Sequence, residues 1–234
     1  CFSLEMSTAM LILGSICTVL ASKNINNKVA IYVGYFTIMQ AIHVVGYLTM
    51  NDCKNIYNRL TSYMNYAHIC FQPLFFLIGI LGLMEFSGNI NKNSRVRMNF
   101  ALYLEIFIGL FLFIRMFDMN LPGFNYKTQT KKSSSCVWCG KTCSFKGQKH
   151  INFSLPLLYP NYLSPSLFLH SFGLFVIPLL INKFSALCSI VVLITTYLPA
   201  YIHKIPGSEA GTIWCFTSIL QCILVIMLSL FYKK

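Results

Sequence analysis

Seven apolar runs that are long enough, or nearly long enough, to cross a membrane constrain this chain more than any other feature of its sequence. About 20 helical residues cross about 30 Å of hydrocarbon, and such runs cover residues 4–22, 29–50, 60–84, 98–117, 160–181, 184–203 and 210–232. The runs are continuous rather than alternating, which favours helices over barrel strands. The sequence predicts an all-α, polytopic (multi-pass) membrane protein. Residues 1–234 are expected to form one seven-transmembrane-helix bundle, with one long cysteine-containing loop, 118–153, between spans four and five.

The composition excludes a soluble protein. Of 234 residues, 56% are hydrophobic and only 10% are charged, which leaves too little polar surface to cover a soluble globule. The net charge of +12 would suit nucleic acid in a soluble domain. Here the basic residues stand in short loops between apolar runs, where they orient helices. We therefore expect the lipid bilayer, and no nucleic acid, as the partner.

The basic residues also predict an orientation. If the spans alternate, odd spans begin on one side of the membrane, side B, and end on the other, side A. Short loops on side B carry Lys54, Arg59 and Lys204. Side A carries Lys23, Lys28, Lys92, Arg95, Arg97, Lys183, Lys233 and Lys234. With the long loop counted weakly, the positive-inside rule predicts a cytoplasmic side A and an extracytoplasmic N-terminus. Counted in full, that loop nearly balances the two sides.

A few polar side chains interrupt the apolar spans. An ionisable group in hydrocarbon costs about 2.5–3.5 kcal/mol on insertion scales, so such groups are expected to face a bundle interior or a cavity. Helical spacing places Gln40 with His43, and His68 with Gln72, on single stripes. His43 and His68 are predicted to lie at one depth. The sequence thus predicts a polar cavity near side B, lined by Glu5, Gln40, His43, His68, Gln72, Glu105, His170 and Glu209.

Three functions are compatible with these residues. The first is a receptor or transporter-like module that binds a small polar ligand, a lipid headgroup or a proton. The second is a membrane-embedded hydrolase acting on lipid, with zinc held by His43, His68 and His170 and a base among Glu5, Glu105 and Glu209. The third is a structural protein whose 118–153 loop binds a partner. For any single side chain, a hydrogen bond that only holds helices together is the plainer interpretation.

The long loop contains a cysteine cluster with a histidine after it. Its members are Cys136, Cys139, Cys143 and His150. Thiolates and imidazole at such spacing bind zinc tetrahedrally, which makes zinc a candidate cofactor. In an oxidising compartment the same cysteines form disulfides instead, with Cys53 or Cys1 available on the same side to pair the odd thiol. Zinc, disulfides and unpaired thiols are all open alternatives at this level.

The opening Cys-Phe-Ser-x-Glu-x-Ser, residues 1–7, resembles a family of uncharacterised multi-pass membrane proteins that begin Met-Cys-Phe-Ser. Further similarities are Gln40 in the second span, the Pro73-containing third span, and Ile-Trp-Cys-Phe at 213–216. The resemblance implies that only the initiator Met is missing before Cys1. It implies no activity, because this domain of unknown function has none assigned. The family has an acidic residue where His43 stands, so a mechanism through that position is not implied.

A second likeness is to the alkaline ceramidase-type seven-span hydrolases. These proteins also place a Cys and a Glu before the first span and a His in the second, as Cys1, Glu5 and His43 do here. The likeness implies a membrane-embedded zinc site. The paired histidines of their last span are absent from this chain, which removes part of that site.

Overall fold

The helices of the first half are long enough to cross a membrane. A computed structural model of the chain describes residues 3–120, 141–147, 151–157, 168–202, 217–221, 223 and 227, and most of these residues are helical. The first four helices are α1 (Leu4–Asn24), α2 (Asn27–Leu48), α3 (Ile56–Phe86) and α4 (Lys92–Ile114), followed by a 3₁₀ turn (Arg115–Asn120). All four helices are apolar and long enough to cross a membrane. For α4, the apolar span continues into the 3₁₀ turn and covers Lys92–Phe117. The protein is a helical membrane protein.

Polar caps, rather than the apolar pattern, determine where these four helices begin. The side chains of Ser3, Asn26, Asn55 and Asn91 each accept a hydrogen bond from a backbone N–H of the first helical turn. Such N-caps satisfy donors that have no partner within the helix. Because of its cap, α4 begins at Lys92 and includes a charged first turn, whereas the sequence predicts a span from residue 98.

The start of α2, the end of α3 and the start of α4 meet at side A. Glu85 of α3 pairs with Lys28 Nζ of α2 at 2.6 Å and with Arg95 Nη1 of α4 at 3.2 Å. Asn26 Nδ2, just before α2, donates to Gly82 O of α3 at 2.8 Å. These contacts confirm that α2, α3 and α4 alternate in direction.

Helix α3 extends beyond α2 on side B. It has 31 residues and α2 has 22, so at 1.5 Å per residue α3 is about 13 Å longer. Since the two helices meet at side A, the excess length projects at the other end. The projecting turns carry Asn58, Thr61 and Ser62, which are polar and yet buried.

An antiparallel β-hairpin covers these projecting turns. Its strands are β1 (Cys143–Lys146) and β2 (Ile151–Ser154). Asn58 Nδ2 donates to Ser144 O at 2.7 Å, and Asn58 Oδ1 accepts from Ser144 N at 2.8 Å. A disulfide joins Cys53 to Cys143, with the Cα atoms 4.8 Å apart. The all-α prediction is corrected here, because part of the long loop is a small folded element fixed to α3.

Residues 168–202 form a helical hairpin. Its first arm consists of α5 (Phe168–Ser171), a π-helical turn (Phe172–Val176) and α6 (Ile177–Ile181), and its second arm is α7 (Lys183–Ile202). Asn182 alone separates the arms, and its Oδ1 accepts from Ser185 N at 2.9 Å. The two arms are therefore joined by a tight link. Helical structure recurs at residues 217–221.

The apolar core has two parts. The main cluster lies between α1, α2 and α3 and takes in α6, α7 and Ile219. A second cluster at side B joins α3 and α4 to the segment after β2, where Leu155 and Leu157 pack with Tyr66 and Leu112. The polar side chains that interrupt the spans lie in and between these clusters.

Candidate functional site

Three buried side chains form a hydrogen-bonded chain between α2, α3 and α5. His68 Nε2 lies 2.8 Å from the backbone oxygen of Tyr35. Gln72 Nε2 lies 3.3 Å from His68 Nδ1, and His170 Nε2 lies 3.1 Å from Gln72 Oε1. All three side chains are buried. The two histidines are thus joined through the glutamine rather than directly.

The partners fix the direction of donation along this chain. A backbone carbonyl only accepts, so His68 Nε2 carries the hydrogen that is donated to Tyr35 O. His68 Nδ1 then accepts from the Gln72 amide, whose Oε1 accepts from His170 Nε2. The Tyr35 carbonyl therefore sets which ring nitrogen of His68 carries hydrogen, and through the orientation of the Gln72 amide it also sets this for His170.

Tyr35 holds His68 by further contacts. Its hydroxyl donates to His68 O at 2.5 Å, and the two rings stack with their centroids 4.1 Å apart. Phe75 stacks on the Tyr35 ring, with a centroid distance of 3.7 Å. Because these contacts involve both backbone and ring, the position of His68 between α2 and α3 is fixed.

Glu105 of α4 reaches the helical run that carries His170. It is 1% exposed, and among the described residues its Oε1 has no hydrogen-bond partner. Its carboxyl group packs on Gly173, three residues after His170: a Cβ added at Gly173 would lie 2.6 Å from Glu105 Oε2. Glycine is therefore needed at position 173 for this carboxyl group to fit. A buried carboxylate without a partner is costly, so this group marks the candidate site.

Pro178 explains why the helix is distorted at Gly173. Proline has no N–H, so Pro178 cannot donate to Leu174 O, four residues earlier. The helix widens there into the π-helical turn 172–176. Ser189 of α7 donates instead, to Leu174 O at 3.0 Å and to Phe175 O at 3.2 Å. Such turns are frequent at functional sites, and this one carries the backbone against which Glu105 packs.

The site lies near the middle of the spans rather than towards side B. Glu105 is thirteen residues after the start of α4 and nine before its end. His68 contacts α2 at Tyr35, which is eight residues before His43. His68 and His43 therefore lie about 12 Å apart along the axis of α2. The sequence predicts one depth for His43 and His68 only if α2 and α3 end at the same level on side B. Because α3 projects beyond α2 there, the two histidines lie at different depths.

The structure describes three of the four remaining predicted cavity residues. Gln40 and His43 are buried, as expected for polar side chains that face a bundle interior. Glu5 is exposed in the first turn of α1, where the helix N-terminus favours a carboxylate. Glu209 lies outside the described residues.

No metal site is formed in the part of the chain that the structure describes. No three His, Cys, Asp or Glu side chains there are arranged to hold a metal ion, so His43, His68 and His170 do not form a three-histidine ligand set. Cys143 is bound to Cys53, and zinc requires a thiolate rather than a disulfide sulfur. The disulfide alternative thus holds for this cysteine. The other predicted zinc ligands, Cys136, Cys139 and His150, lie outside the described residues.

Sequence reasoning missed Tyr35 and Gly173. Tyr35 contributes a backbone carbonyl, a hydroxyl group and a stacked ring to the site, and a tyrosine in an apolar span does not by itself indicate such contacts. Gly173 could have been noticed, because a glycine three residues after a membrane histidine and five before a proline suggests a helix distortion. No signal in the sequence pairs it with Glu105.

Comparisons with known proteins give one family assignment. No curated protein and no solved structure matches the chain significantly, and the likeness to alkaline ceramidase-type hydrolases is not shown. A family model described as "Family of unknown function (DUF5765)" matches residues 5–234. This agrees with the resemblance to multi-pass proteins without an assigned activity. The chain therefore belongs to the DUF5765 family.

Proposed function

We propose that this protein is a transporter-like membrane protein that binds a proton at Glu105, inside a seven-helix bundle. The observation that carries the proposal is the buried Glu105 carboxyl group, whose Oε1 has no hydrogen-bond partner among the described residues. A carboxyl group in such a place must be neutralised by a proton or a cation. Intramembrane acids of this kind belong to ion pathways and proton relays.

The packing around Glu105 favours a proton over a larger ligand. The carboxyl group packs so closely on Gly173 that not even a methyl group fits between them. A small polar molecule or a lipid headgroup needs volume, whereas a proton needs none. A proton is therefore the ligand that best fits this side of the carboxyl group.

The hydrogen-bonded chain supplies a second part of the proposed mechanism. His170 lies one turn before Gly173, and the chain leads from it through Gln72 and His68 to the carbonyl of Tyr35. The Gln72 amide does not readily exchange protons, so we assign the chain a positioning role rather than proton conduction. A shift of the π-helical turn on proton binding would change the hydrogen bond of His170 and reach α2.

The seven-span bundle is supported by contacts of the last described residues. Gln221 Nε2 donates to Thr195 Oγ1 of α7 at 2.5 Å, and Ile219 is fully buried in the main core. The segment around residue 220 therefore packs against α7, as a seventh helix would. The helical run that ends at Ile181 would be the fifth span, and α7 the sixth.

Substituting Glu105 tests the proton site directly. Wild-type protein in lipid nanodiscs is expected to show the infrared C=O band of a protonated carboxylic acid, and Glu105→Gln is expected to abolish it. The chain has only six Asp and Glu residues, so the band can be assigned. The exposed Glu5 supplies the matched control, because Glu5→Gln should leave the band unchanged. A band that persists in Glu105→Gln contradicts the proposal.

Transport is a separate measurement on the same variants. In vesicles that contain a pH-sensitive dye, the wild-type protein should relax an imposed pH gradient faster than Glu105→Gln. The two proteins could relax the gradient at equal rates even though Glu105→Gln removes the infrared band. Glu105 would then bind a proton without taking part in transport.

We also propose that side B, with the N-terminus, is extracytoplasmic. The disulfide between Cys53 and Cys143 lies on side B, and disulfides form and persist in oxidising compartments. The basic loops of side A support the same orientation through the positive-inside rule. The two arguments are independent, because the rule does not use the cysteines.

Engineered glycosylation acceptors test this orientation. Lys146 is exposed in β1, so Lys146→Asn with Gln148→Thr creates an acceptor on side B. Asn91→Ser creates a matched acceptor at Asn89 on side A and keeps a good N-cap for α4. In microsomes, the side-B variant is expected to gain one glycan relative to the wild-type chain and the side-A variant none. The reverse pattern contradicts the proposal.

A further inference from the structure

We propose that an anionic phospholipid binds at side A, with its phosphate held by Arg97 and Lys183 at the seam between α4 and the turn joining α6 to α7. This site is separate from Glu105, which lies near the middle of α4. The ligand class follows from charge, from the placement of the two basic side chains and from the apolar surface next to them.

Side A has a large excess of positive charge. The only acidic side chain in the described part of this end is Glu85, and Lys28 and Arg95 share it. Further basic side chains at the same end are exposed: Lys23, Lys92, Arg97 and Lys183. A surface of this kind attracts anionic lipid headgroups.

Hydrogen bonds bring Arg97 and Lys183 to one place on this surface. Arg97 Nη1 donates to Leu180 O at the end of α6, at 3.3 Å. Asn182 Nδ2 donates to Ser94 Oγ of α4 at 3.4 Å. Arg97 is three residues after Ser94, and Lys183 directly follows Asn182, so both basic residues lie within one helical turn of this contact.

The chemistry of the seam fits a phosphate that carries acyl chains. A guanidinium group has five N–H donors in a planar fork that matches phosphate, and one bond to Leu180 O leaves others available to a ligand. Phe100, one turn below Arg97, is 70% exposed, and Leu180 is 64% exposed. An acyl chain can lie on these two side chains while the headgroup contacts Arg97. A free anion would use only the polar half of this surface.

The test measures lipid binding through thermal stability in detergent. Short-chain phosphatidylglycerol, phosphatidylcholine of equal chain length and inorganic phosphate are each titrated against the protein. Only phosphatidylglycerol is expected to raise the Tm. Arg97→Gln with Lys183→Gln is expected to weaken this binding about 30-fold, as the loss of two surface charges predicts. Lys183→Gln alone, in case the double variant does not fold, is expected to weaken it about 5-fold.

A matched control distinguishes a site from general attraction. Lys54→Gln with Arg59→Gln makes the same change of charge at exposed positions on side B and should leave the phosphatidylglycerol affinity unchanged. An equal loss in this control overturns the proposal in favour of non-specific attraction. Stabilisation by inorganic phosphate or by phosphatidylcholine as large as that by phosphatidylglycerol overturns it as well.

Discussion

Replacing Cys53 and Cys143 with serine is expected to lower the free energy of opening of the side-B hairpin by about 2–5 kcal/mol. The disulfide joins residues separated by 90 positions, and the chain-entropy model gives about 4.6 kcal/mol for a fully unfolded loop of that size, which is an upper limit here because α3 and α4 stay folded when only the hairpin opens. Hydrogen exchange of the β1 and β2 amide groups measures this opening. Exchange in both strands should become faster by orders of magnitude.

A reductant supplies the control for this experiment. Reduced wild-type protein should show the same fast exchange as the double serine variant, and the reductant should not affect the variant itself. The buried hydrogen bonds between Asn58 and Ser144, one donated by each residue, do not depend on the disulfide. If exchange were equally slow with and without the disulfide, these hydrogen bonds alone would hold the hairpin.

Gly173→Ala is expected to destabilise the protein by about 1–3 kcal/mol, although alanine normally favours a helix by about 1 kcal/mol. The added Cβ would lie 2.6 Å from Glu105 Oε2, so either the carboxyl group or the π-helical turn must move. Thermal unfolding measures the loss of stability. The infrared band of the Glu105 carboxyl group should shift, because its surroundings change.

The matched control for this substitution is Gly34→Ala in α2. A Cβ at Gly34 would lie 3.4 Å from Thr18 Cγ2, an ordinary van der Waals distance, so this variant should be at least as stable as the wild type. Glu105→Ala makes room at Gly173, and adding it to Gly173→Ala should recover stability in a double-mutant cycle. Additive effects of the two substitutions would show that the Glu105 carboxyl group and Gly173 do not interact.

The membrane helices could be predicted from the sequence because burial in lipid leaves a simple apolar signal. The four long helices agree with the first four predicted spans, but α2, α3 and α4 begin earlier than predicted, where asparagine side chains cap them. Helix α3 begins at Ile56 rather than at residue 60, since the hairpin covers Asn58 and Asn55 caps the first turn. The two strands are four residues each, too short to leave a periodic pattern.

The candidate site could be predicted only in part. His68, Gln72, Glu105 and His170 are polar residues in apolar spans, and the expense of burying them pointed to an interior position. The arrangement of these side chains depends on which helices are neighbours and on how far each helix projects beyond the next. The sequence of a single span indicates neither. The helix distortion at Gly173 arises from Pro178, which follows it in the same run. The hydrogen bonds to the carbonyl groups of this turn come from Ser189 of another helix, α7.

Helix α3 is anchored at both of its ends. At side A, Glu85 ties it to α2 and α4, and at side B, Asn58 ties it to a hairpin that the disulfide secures. The α5–α6 run contacts this helix at mid-depth through apolar packing and through the hydrogen bond from His170 to Gln72. In the proposed transport cycle α3 would therefore stay in place. The moving part would be the turn at 172–176, which would change between a wound and an unwound form.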